Sequence, residues 1–254
     1  KDRPELYVKR KNGNLWRDNK GHAWLDVSNQ GAWEYNVQEI KKAVDLGFDE
    51  IQYDYVRFPS DGNVQDIVFS GFEVGKQKSD YVKGFLTYAN KELKGYKPEL
   101  ILSADLFGYV SVRSEDLGIG QKLTDIGDSV DYISFMLYPS HYYAGFQVPA
   151  DLEKNLPAVY HPYKGDATVV VSSKPYDVVY RSLLIAIDVL AGKTSSTSQI
   201  QKNATSTEKA VSATSTPPIS LSRAHMRPWL QDFDLAFDKN RGIYYDAAKV
   251  QAQI

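Results

Sequence analysis

The sequence predicts an α/β fold with a largely parallel sheet, and three observations support that prediction. Apolar segments of strand-like composition alternate with amphipathic helical segments through most of the chain. The strand-like segments are nearly continuous apolar runs, which is typical of parallel sheets covered by helices on both faces. Acidic and aromatic side chains cluster where these segments end, and α/β barrels and open parallel sheets carry their functional groups at such strand ends.

Composition limits the possible functions. The chain has 254 residues and a net charge of −2 from 30 basic and 32 acidic side chains, so it offers no electrostatic basis for binding nucleic acid or an anionic membrane. It has no cysteine, which excludes disulfides and thiolate metal sites. No apolar run reaches the roughly 20 residues of a membrane span. A single domain over residues 1–254 is the simplest expectation for this length.

The first helix–strand unit follows a polar N-terminal segment. Residues 1–31 carry turn signals and predict a long loop with at most one short strand. Apolar side chains then recur at helical spacing from Trp33 onward, and Gly47 stands where a helix C-terminal cap belongs. Residues 51–58 are mostly β-branched or aromatic, which favours a strand, and the Pro-Ser-Asp-Gly sequence of residues 59–62 ends it.

Two further units repeat this order. Ser79 is the expected N-cap of a helix with one apolar face, which ends before Pro98. An apolar strand over residues 100–107 follows this helix. A shorter helix over residues 119–126 then precedes a third strand, over residues 130–138.

The last third of the chain is less regular. Residues 175–190 predict a helix that begins with proline, a residue favoured in the first turn. Residues 191–219 are rich in Ser, Thr, Lys and Gln and predict a flexible insertion, because they cannot bury enough apolar surface to fold. A fourth strand is expected over residues 225–231, although Pro228 is unfavourable in a central strand. A final helix begins at Asp246.

The length of the chain is too short for a closed eight-stranded barrel together with its long loops. A closed barrel needs eight strand–helix units of about 30 residues each, whereas four strands with their loops already fill the 254 residues. We therefore expect an incomplete (β/α)8 barrel of the TIM type. An open four-stranded α/β sheet is the structural alternative.

Two acidic residues are the strongest candidates for chemistry. Asp54 and Asp105 fall near the carboxyl ends of consecutive predicted strands, so their side chains are expected to converge. Adjacent parallel strands lie ~4.8 Å apart, and carboxylates ~5–5.5 Å apart are typical of retaining glycosidases. Arg57 is expected to keep Asp54 ionised by lowering its pKa, while the apolar neighbours of Asp105 favour its protonated form. The alternative is that both acids are structural, as helix caps or ion-pair partners.

Further polar and aromatic side chains are expected to line a substrate cleft around this pair. They lie in predicted loops next to strand ends, where aromatic rings either stack on sugars or pack at the rim of the core. These residues are Trp24, Trp33, Tyr138, His141, Tyr142, Trp229 and Asp232. The four histidines lack the spacing of a zinc site, and the chain has no nucleotide-binding glycine motif and no serine-nucleophile elbow. The sequence therefore predicts neither a metal nor a cofactor.

Five segments of the chain resemble a known family of glycoside-hydrolase-like barrels, long described as a domain of unknown function in bacterial and archaeal envelope or secreted proteins. The segments are LWRDNKGHAWLD, GFDEIQYDYVRFPSDG, ILSADLFGYV, DYISFMLYPSHY and RPWLQDFD. The resemblance implies a (β/α)8 barrel in which the four predicted strands are strands four to seven, with strands one to three and eight outside this chain. It also implies a nucleophile on strand four and a proton donor on strand five, the positions of Asp54 and Asp105.

The leading hypothesis is a retaining O-glycoside hydrolase that acts on a bacterial envelope or extracellular polysaccharide. Asp54 would be the nucleophile, Asp105 the general acid and base, and Arg57 a substrate contact. The main alternative is a non-catalytic carbohydrate-binding barrel of the cell envelope. A barrel enzyme of small-molecule metabolism has less support, because no phosphate-binding glycine loop follows the last strand. The expected partner is a polysaccharide or oligosaccharide, and the expected location is extracellular or at the cell envelope.

Overall fold

The structure, a computed structural model, describes most of the N-terminal half of the chain and parts of the rest. The described residues are 3–142, 147–148, 159–160, 175–192, 224–233, 240, 244, 246–251 and 253. The chain divides into two compact units: the first comprises residues 1–106, 115–134 and 223–226, and the second comprises residues 107–114, 135–222 and 227–254. The predicted flexible insertion lies outside the described residues from residue 193 onward.

The N-terminal segment of the first unit is mostly irregular, as the sequence predicts. It contains a single 3-10 turn, Pro4–Leu6, and the short strand β1 (Lys9–Arg10). β1 pairs in antiparallel fashion with β3 (Ile67–Val68). Trp16 anchors this segment, because its ring is buried and its indole N–H donates to the backbone oxygen of Asn63 at 2.9 Å.

A mainly parallel sheet forms the centre of the first unit. Its strands, in spatial order, are β2 (Glu50–Tyr53), β4 (Ile101–Phe107), β5 (Tyr132–Leu137) and β8 (His225–Met226). β2 is parallel to β4, and β5 is parallel to β8. The predicted α/β class is therefore confirmed. The sheet and its helices are compatible with part of a TIM-type barrel, and the described strands do not close into one.

Three helices of the first unit follow the predicted pattern, with α1 (Gln30–Asp45) packed against α2 (Lys78–Tyr96) and α2 packed against α3 (Leu123–Ile126). Gly47 follows α1 with a φ of +98°, the left-handed conformation expected of a residue that ends a helix. The predicted apolar face of α2 is fully buried; its members are Val82, Phe85, Leu86, Ala89 and Leu93.

The predicted N-cap of α2 was wrong. The helix begins at Lys78, so Ser79 lies inside the first turn and Gln77 is the N-cap. The Asp80 carboxylate accepts a hydrogen bond from the Gln77 N–H at 2.7 Å. An acidic side chain in the first turn can satisfy a free backbone N–H at the helix start, which removes the need for a serine at the cap.

The strand that carries Asp54 is shorter than predicted. β2 ends at Tyr53 instead of continuing to Phe58, so Asp54 is the first residue after the strand. Tyr55 has a φ of +56°, a left-handed conformation that is incompatible with an extended chain. The backbone N–H of Arg57 donates to the Tyr55 oxygen at 2.9 Å, so the chain reverses direction within three residues.

The second unit contains the helix α4 (Pro175–Leu190), which begins at the predicted proline. The carboxyl-terminal half of β5 pairs in parallel with β9 (Trp229–Leu230), and β6 (Gln147–Val148) pairs with β7 (Val159–Tyr160) in antiparallel fashion. The predicted fourth strand is thus two short strands, β8 and β9, on either side of Pro228. Proline has no backbone N–H to donate to a sheet, which accounts for the break. The final helix is α5 (Ala247–Gln251).

Candidate active site

Strand pairing brings Asp54 and Asp105 to the same level of the sheet. Gln52 lies opposite Ser103 and Tyr53 lies opposite Ala104 in the parallel register of β2 and β4. β2 ends at Tyr53, so Asp54 and Asp105 are the residues that directly follow this last pair. Side chains alternate between the two faces of a sheet, so Gln52, Ser103 and Asp105 share one face. The negative charge of Asp105 raises the pKa of Asp54, so the two carboxyl groups are near each other.

Side-chain hydrogen bonds run diagonally across this face. The Ser103 hydroxyl donates to the Glu50 carboxylate at 2.8 Å, and the amide of Gln52 donates to Oδ1 of Asp105. In both cases the residue on β4 lies two positions beyond the register partner of the residue on β2. The carboxylate of Asp105 is therefore in contact with Gln52 on the neighbouring strand.

The turn after β2 fixes the Asp54 carboxylate. The backbone N–H of Tyr55 donates to Oδ1 of Asp54 at 2.8 Å. This contact is possible because Tyr55 adopts a left-handed conformation, which turns its N–H back toward the preceding side chain. Asp54 itself is exposed, so the carboxylate is held at the surface of the sheet end and remains accessible.

A cation and two aromatic rings stand beside Asp54. The guanidinium carbon of Arg57 lies 4.9 Å from the centre of the Trp24 ring and 5.0 Å from that of Tyr55, within cation–π range. The two rings meet edge to face with their centres 5.9 Å apart. Nη1 of Arg57 also donates to Ser60 Oγ and to the Phe58 backbone oxygen, each at 3.2 Å. These contacts hold the guanidinium in one orientation.

The loop before α1 holds the Trp24 ring in place. Its indole N–H donates to Oδ2 of Asp18 at 3.1 Å. Oδ1 of the same carboxylate accepts from the backbone N–H groups of Lys20 and His22, at 2.9 Å and 2.8 Å. Asp18 therefore orders the loop and one ring of the site together. Hydrogen bonds from Trp24 and from the two N–H groups outweigh burial and lower the pKa of Asp18, although burial is the largest single influence.

These groups line a cavity of about 820 Å³ along β2 in the first unit. Its polar wall includes Gln52, Asp54, Arg57 and Asp61, and its aromatic wall includes Trp24 and Tyr55. An apolar wall is formed by Ala32, Trp33, Ile40, Ile51 and Phe85. Tyr53 also lines the cavity; its hydroxyl is buried without a hydrogen-bond partner among the described residues, and burial raises its pKa. The volume lies within the usual range for small-ligand sites.

The ionisation of Asp54 differs from the sequence-based expectation. Arg57 was expected to lower the pKa of Asp54, yet the pKa is raised above its ordinary value of 3.8. Partial burial of the carboxyl group is the largest cause, and the negative charge of Asp105 adds to it. The Tyr55 N–H and Arg57 both act in the opposite direction without reversing the shift. Burial also disfavours the charged form of Arg57, which for a base lowers the pKa.

The predicted site residues fall into two groups. Trp24, Trp33, Asp54 and Arg57 line the cavity, and Asp105 contacts the cavity residue Gln52. The remaining five predicted residues belong to the second unit; they are Tyr138, His141, Tyr142, Trp229 and Asp232.

Within the second unit the predicted residues have different surroundings. The rings of Tyr138 and His141 are 5.5 Å apart and both contact Phe233 edge to face. Trp229 and Asp232 are exposed. Tyr142 is different, because it is buried in a hydrophobic cluster and its hydroxyl is 2.9 Å from that of Ser182. Its ring is thus a core element and offers no open face to a sugar; burial raises the pKa of Tyr142 to about 12.

The residues of the site that were absent from the predicted set include Gln52, Tyr55 and Asp18. Strand periodicity places Gln52 on the face expected for Asp54, two positions before it, but gave no reason to assign it a role in the site. No sequence pattern marks Tyr55 or Asp18 as part of the site. Tyr55 belongs to the site because of its left-handed turn, and Asp18 because it accepts a hydrogen bond from Trp24.

Other classes of site receive no support from the described residues. They include no cluster of three or more His, Asp or Glu side chains that could hold a metal ion. Among the helices that the structure describes, none combines the length and apolar content needed to cross a lipid bilayer.

The mainly parallel α/β sheet is compatible with part of a TIM-type barrel. Comparison with known families agrees: residues 1–254 match the family described as "Putative glycosyl hydrolase domain", and the chain belongs to that family. No curated protein matches. A crystal structure of a hypothetical protein from Ruminiclostridium thermocellum ATCC 27405 is 38% identical over 46% of this chain and 52% of that chain, with a TM-score of 0.35. The match thus spans about half of that protein.

Proposed function

We propose that the protein is a retaining O-glycoside hydrolase in which Asp54 is the nucleophile and Asp105 the general acid and base. One observation carries the proposal: Asp54 and Asp105 directly follow the register partners Tyr53 and Ala104 of adjacent parallel strands. Strands ~4.8 Å apart suit the ~5–5.5 Å carboxylate separation of retaining enzymes better than the ~6.5–9.5 Å of inverting ones.

The proposed reaction has two steps. Asp54 attacks the anomeric carbon and forms a new C–O bond, while the glycosidic C–O bond breaks and the departing oxygen takes a proton from Asp105. Water then attacks the same carbon and gives its proton to Asp105, which releases the sugar and restores both carboxyl groups. Each step moves one proton, so the pair must begin with one protonated and one ionised member.

The electrostatics of the site relate the two acids. The charge of Asp105 raises the pKa of Asp54, so the ionisation of Asp54 depends on the state of its neighbour. Once Asp105 is protonated, its repulsion of an ionised Asp54 disappears. Arg57 and the Tyr55 N–H, which both lower the pKa of Asp54, then favour the ionised form that a nucleophile requires.

The cavity wall supports a carbohydrate as the substrate. Trp24 and Tyr55 are aromatic rings next to the nucleophile, and Arg57 and Gln52 add hydrogen-bonding groups. Rings and polar groups in one wall suit sugars, which have both apolar faces and hydroxyl edges. We extend the proposal to a polysaccharide of the cell envelope or the extracellular space; the family resemblance described above supports that setting.

Sugar release tests the proposal. The protein is incubated with a panel of envelope and plant polysaccharides and with aryl glycosides, and new reducing ends are measured for the wild type, Asp54→Asn and Asp105→Asn. Asp54→Asn is expected to lose roughly 10⁴-fold or more in kcat. Asp105→Asn should lose at least about 10²-fold on unactivated substrates and far less on 2,4-dinitrophenyl glycosides, whose leaving group needs no proton. Asp128→Asn, on the exposed surface, is the matched control.

Stereochemistry gives a second and independent readout. NMR of the first-formed sugar should show the anomeric configuration of the substrate, because two successive displacements restore it. An inverted first product would exclude a glycosyl-enzyme on Asp54. Turnover that survives in Asp54→Asn and Asp105→Asn would exclude these acids. Binding of oligosaccharide without turnover would favour the carbohydrate-binding alternative.

A further inference from the structure

One hydrogen bond of the site has no part in the mechanism as proposed: the amide of Gln52 donates to Oδ1 of Asp105. The donor and acceptor come from neighbouring strands, 53 positions apart in sequence. Gln52 is exposed and lines the cavity, so this side chain is not part of the packed core. Its contact with Asp105 therefore requires an explanation other than packing.

The same face offers a structural comparison. Ser103 and Glu50 form the equivalent diagonal contact one step earlier along the strands. Ser103 is fully buried, and the Glu50–Ser103 bond already ties β2 to β4. The Gln52–Asp105 bond repeats that geometry at the open end of the sheet, where Asp105 would do chemistry.

We infer that Gln52 is the positioning residue for Asp105, holding its carboxyl group for proton transfer to the departing sugar oxygen. The inference rests on the proposed glycosidase function. An amide N–H on Oδ1 limits rotation of the carboxyl group about its χ2 angle. It also makes Oδ2 the oxygen that carries the proton, because Oδ1 is already accepting a hydrogen bond.

The diagonal contact has a second effect on the pair. Asp54 and Asp105 directly follow the register partners Tyr53 and Ala104, and Asp105 is hydrogen-bonded to Gln52, two positions before Asp54. Asp54 is instead bonded by the Tyr55 N–H. Each acid thus has its own N–H donor from β2 or the turn that follows it. Separate donors keep the two carboxylates from sharing one hydrogen bond and let them act on different atoms of the substrate.

Leaving-group dependence tests this role. Gln52→Leu removes the amide, and Gln52→Glu keeps the shape but replaces the donor by an acceptor. On phenyl glycosides, which need a proton, both variants are expected to lose about 10- to 100-fold in kcat. On 2,4-dinitrophenyl glycosides of the same sugar the loss should be less than about threefold. Gln38→Leu, an exposed glutamine of α1, is the control.

A second measurement does not depend on turnover. In the NMR spectrum of the wild type, the side-chain amide signal of Gln52 is assigned from its loss in Gln52→Leu. That signal should move when Asp105→Ala removes the acceptor and should stay in place in Asp128→Asn.

The outcomes separate the inference from the function on which it rests. Equal losses on both leaving groups in Gln52→Leu, or no loss on either, would overturn the positioning role and leave the glycosidase proposal intact. A wild type that cleaves no glycoside would overturn both. An amide signal unchanged by Asp105→Ala would show that the contact is absent in solution, which overturns the inference whatever the activity.

Discussion

Asp26 and Ser70 are joined by two hydrogen bonds across 44 positions of sequence: the Ser70 backbone N–H donates to Oδ2 of Asp26 at 2.6 Å, and its hydroxyl does so at 2.8 Å. Oδ1 of Asp26 accepts two more, from the N–H and hydroxyl of Ser28 at 2.9 Å and 2.7 Å. The carboxylate is fully buried. This network ties the loop before α1, which also carries Trp24, to the segment that follows β3.

Replacing Asp26 should therefore cost stability. Asp26→Asn replaces one carboxylate oxygen by an NH2 group, which would face hydrogen-bond donors instead of accepting from them. The substitution also removes the negative charge that strengthens the four hydrogen bonds to this buried side chain. We expect the free energy of unfolding to fall by about 3 kcal/mol, measured by urea denaturation with tryptophan fluorescence. Asp128→Asn, at an exposed position, should change it by less than about 0.5 kcal/mol. Equal effects of the two substitutions would show that the network contributes little.

Gly71 is expected to tolerate no side chain. A Cβ atom at this position would lie 2.0 Å from the backbone oxygen of Ser28, and backbone cannot move aside as a side chain can. Gly71→Ala should lower the melting temperature by several degrees, since about 1 kcal/mol corresponds to a few degrees in a chain of this size. Gly95→Ala is the control, because a Cβ there meets no atom within 4 Å. Gly95 lies in α2, and its replacement by alanine should stabilise the helix slightly.

Asp54 should reduce stability at neutral pH. Its pKa is raised in the folded protein above the ordinary 3.8, so the folded state resists ionisation more than the unfolded chain does. The cost is absent below pH 3.8 and develops as the pH rises through the raised pKa. Asp54→Asn is therefore expected to melt at a higher temperature than the wild type at pH 7, with no difference below pH 3.8. Calorimetry across this pH range provides the measurement.

Asp105 supplies the internal control for that prediction. Its charge is one of the causes of the raised pKa of Asp54. In an Asp105→Asn background, the gain from Asp54→Asn at pH 7 should therefore be smaller. A gain that is independent of pH, or unchanged by the background substitution, would argue against the electrostatic explanation.

Trp24 should matter for substrate affinity more than for folding. Its ring stands beside Asp54 and is held by Asp18 and Arg57. Trp24→Leu is expected to weaken binding of an oligosaccharide about tenfold, since it removes the flat face on which a sugar could lie. Titration calorimetry with Asp54→Asn as the host protein measures binding without turnover. Trp24→Phe should recover part of the affinity, and equal binding by all three proteins would exclude the ring as a sugar platform.

Local sequence signals predicted much of the fold. Gly47 marked the end of α1 because glycine readily takes the positive φ found there. Alternation along β2 and β4 was sufficient to place Gln52 and Ser103 on one face, because side chains in a strand point to opposite sides in turn. Pro228 correctly indicated a break in the fourth strand, because proline has no backbone N–H to donate to a neighbouring strand.

The errors concern interactions between residues distant in sequence or unusual backbone conformations. Nothing local marks Tyr55 as left-handed, and its aromatic side chain favours a strand, so β2 was predicted too long. The raised pKa of Asp54 depends on burial and on the charge of Asp105, neither of which could be weighed against Arg57 from spacing alone. Tyr142 lies in a motif rich in polar and aromatic residues, yet its contact with Ser182 places it in the core.

The diagonal bonds between β2 and β4 also constrain how the chain can fold. A slip of one residue between these strands would turn Gln52 and Asp54 to the opposite side of the sheet, because side chains alternate. It would also separate Glu50 from Ser103 and Gln52 from Asp105. The polar groups that define the site thus disfavour misaligned pairings as the sheet assembles. A substitution of Gln52 that is made to alter the site is therefore expected to reduce the yield of correctly folded protein as well.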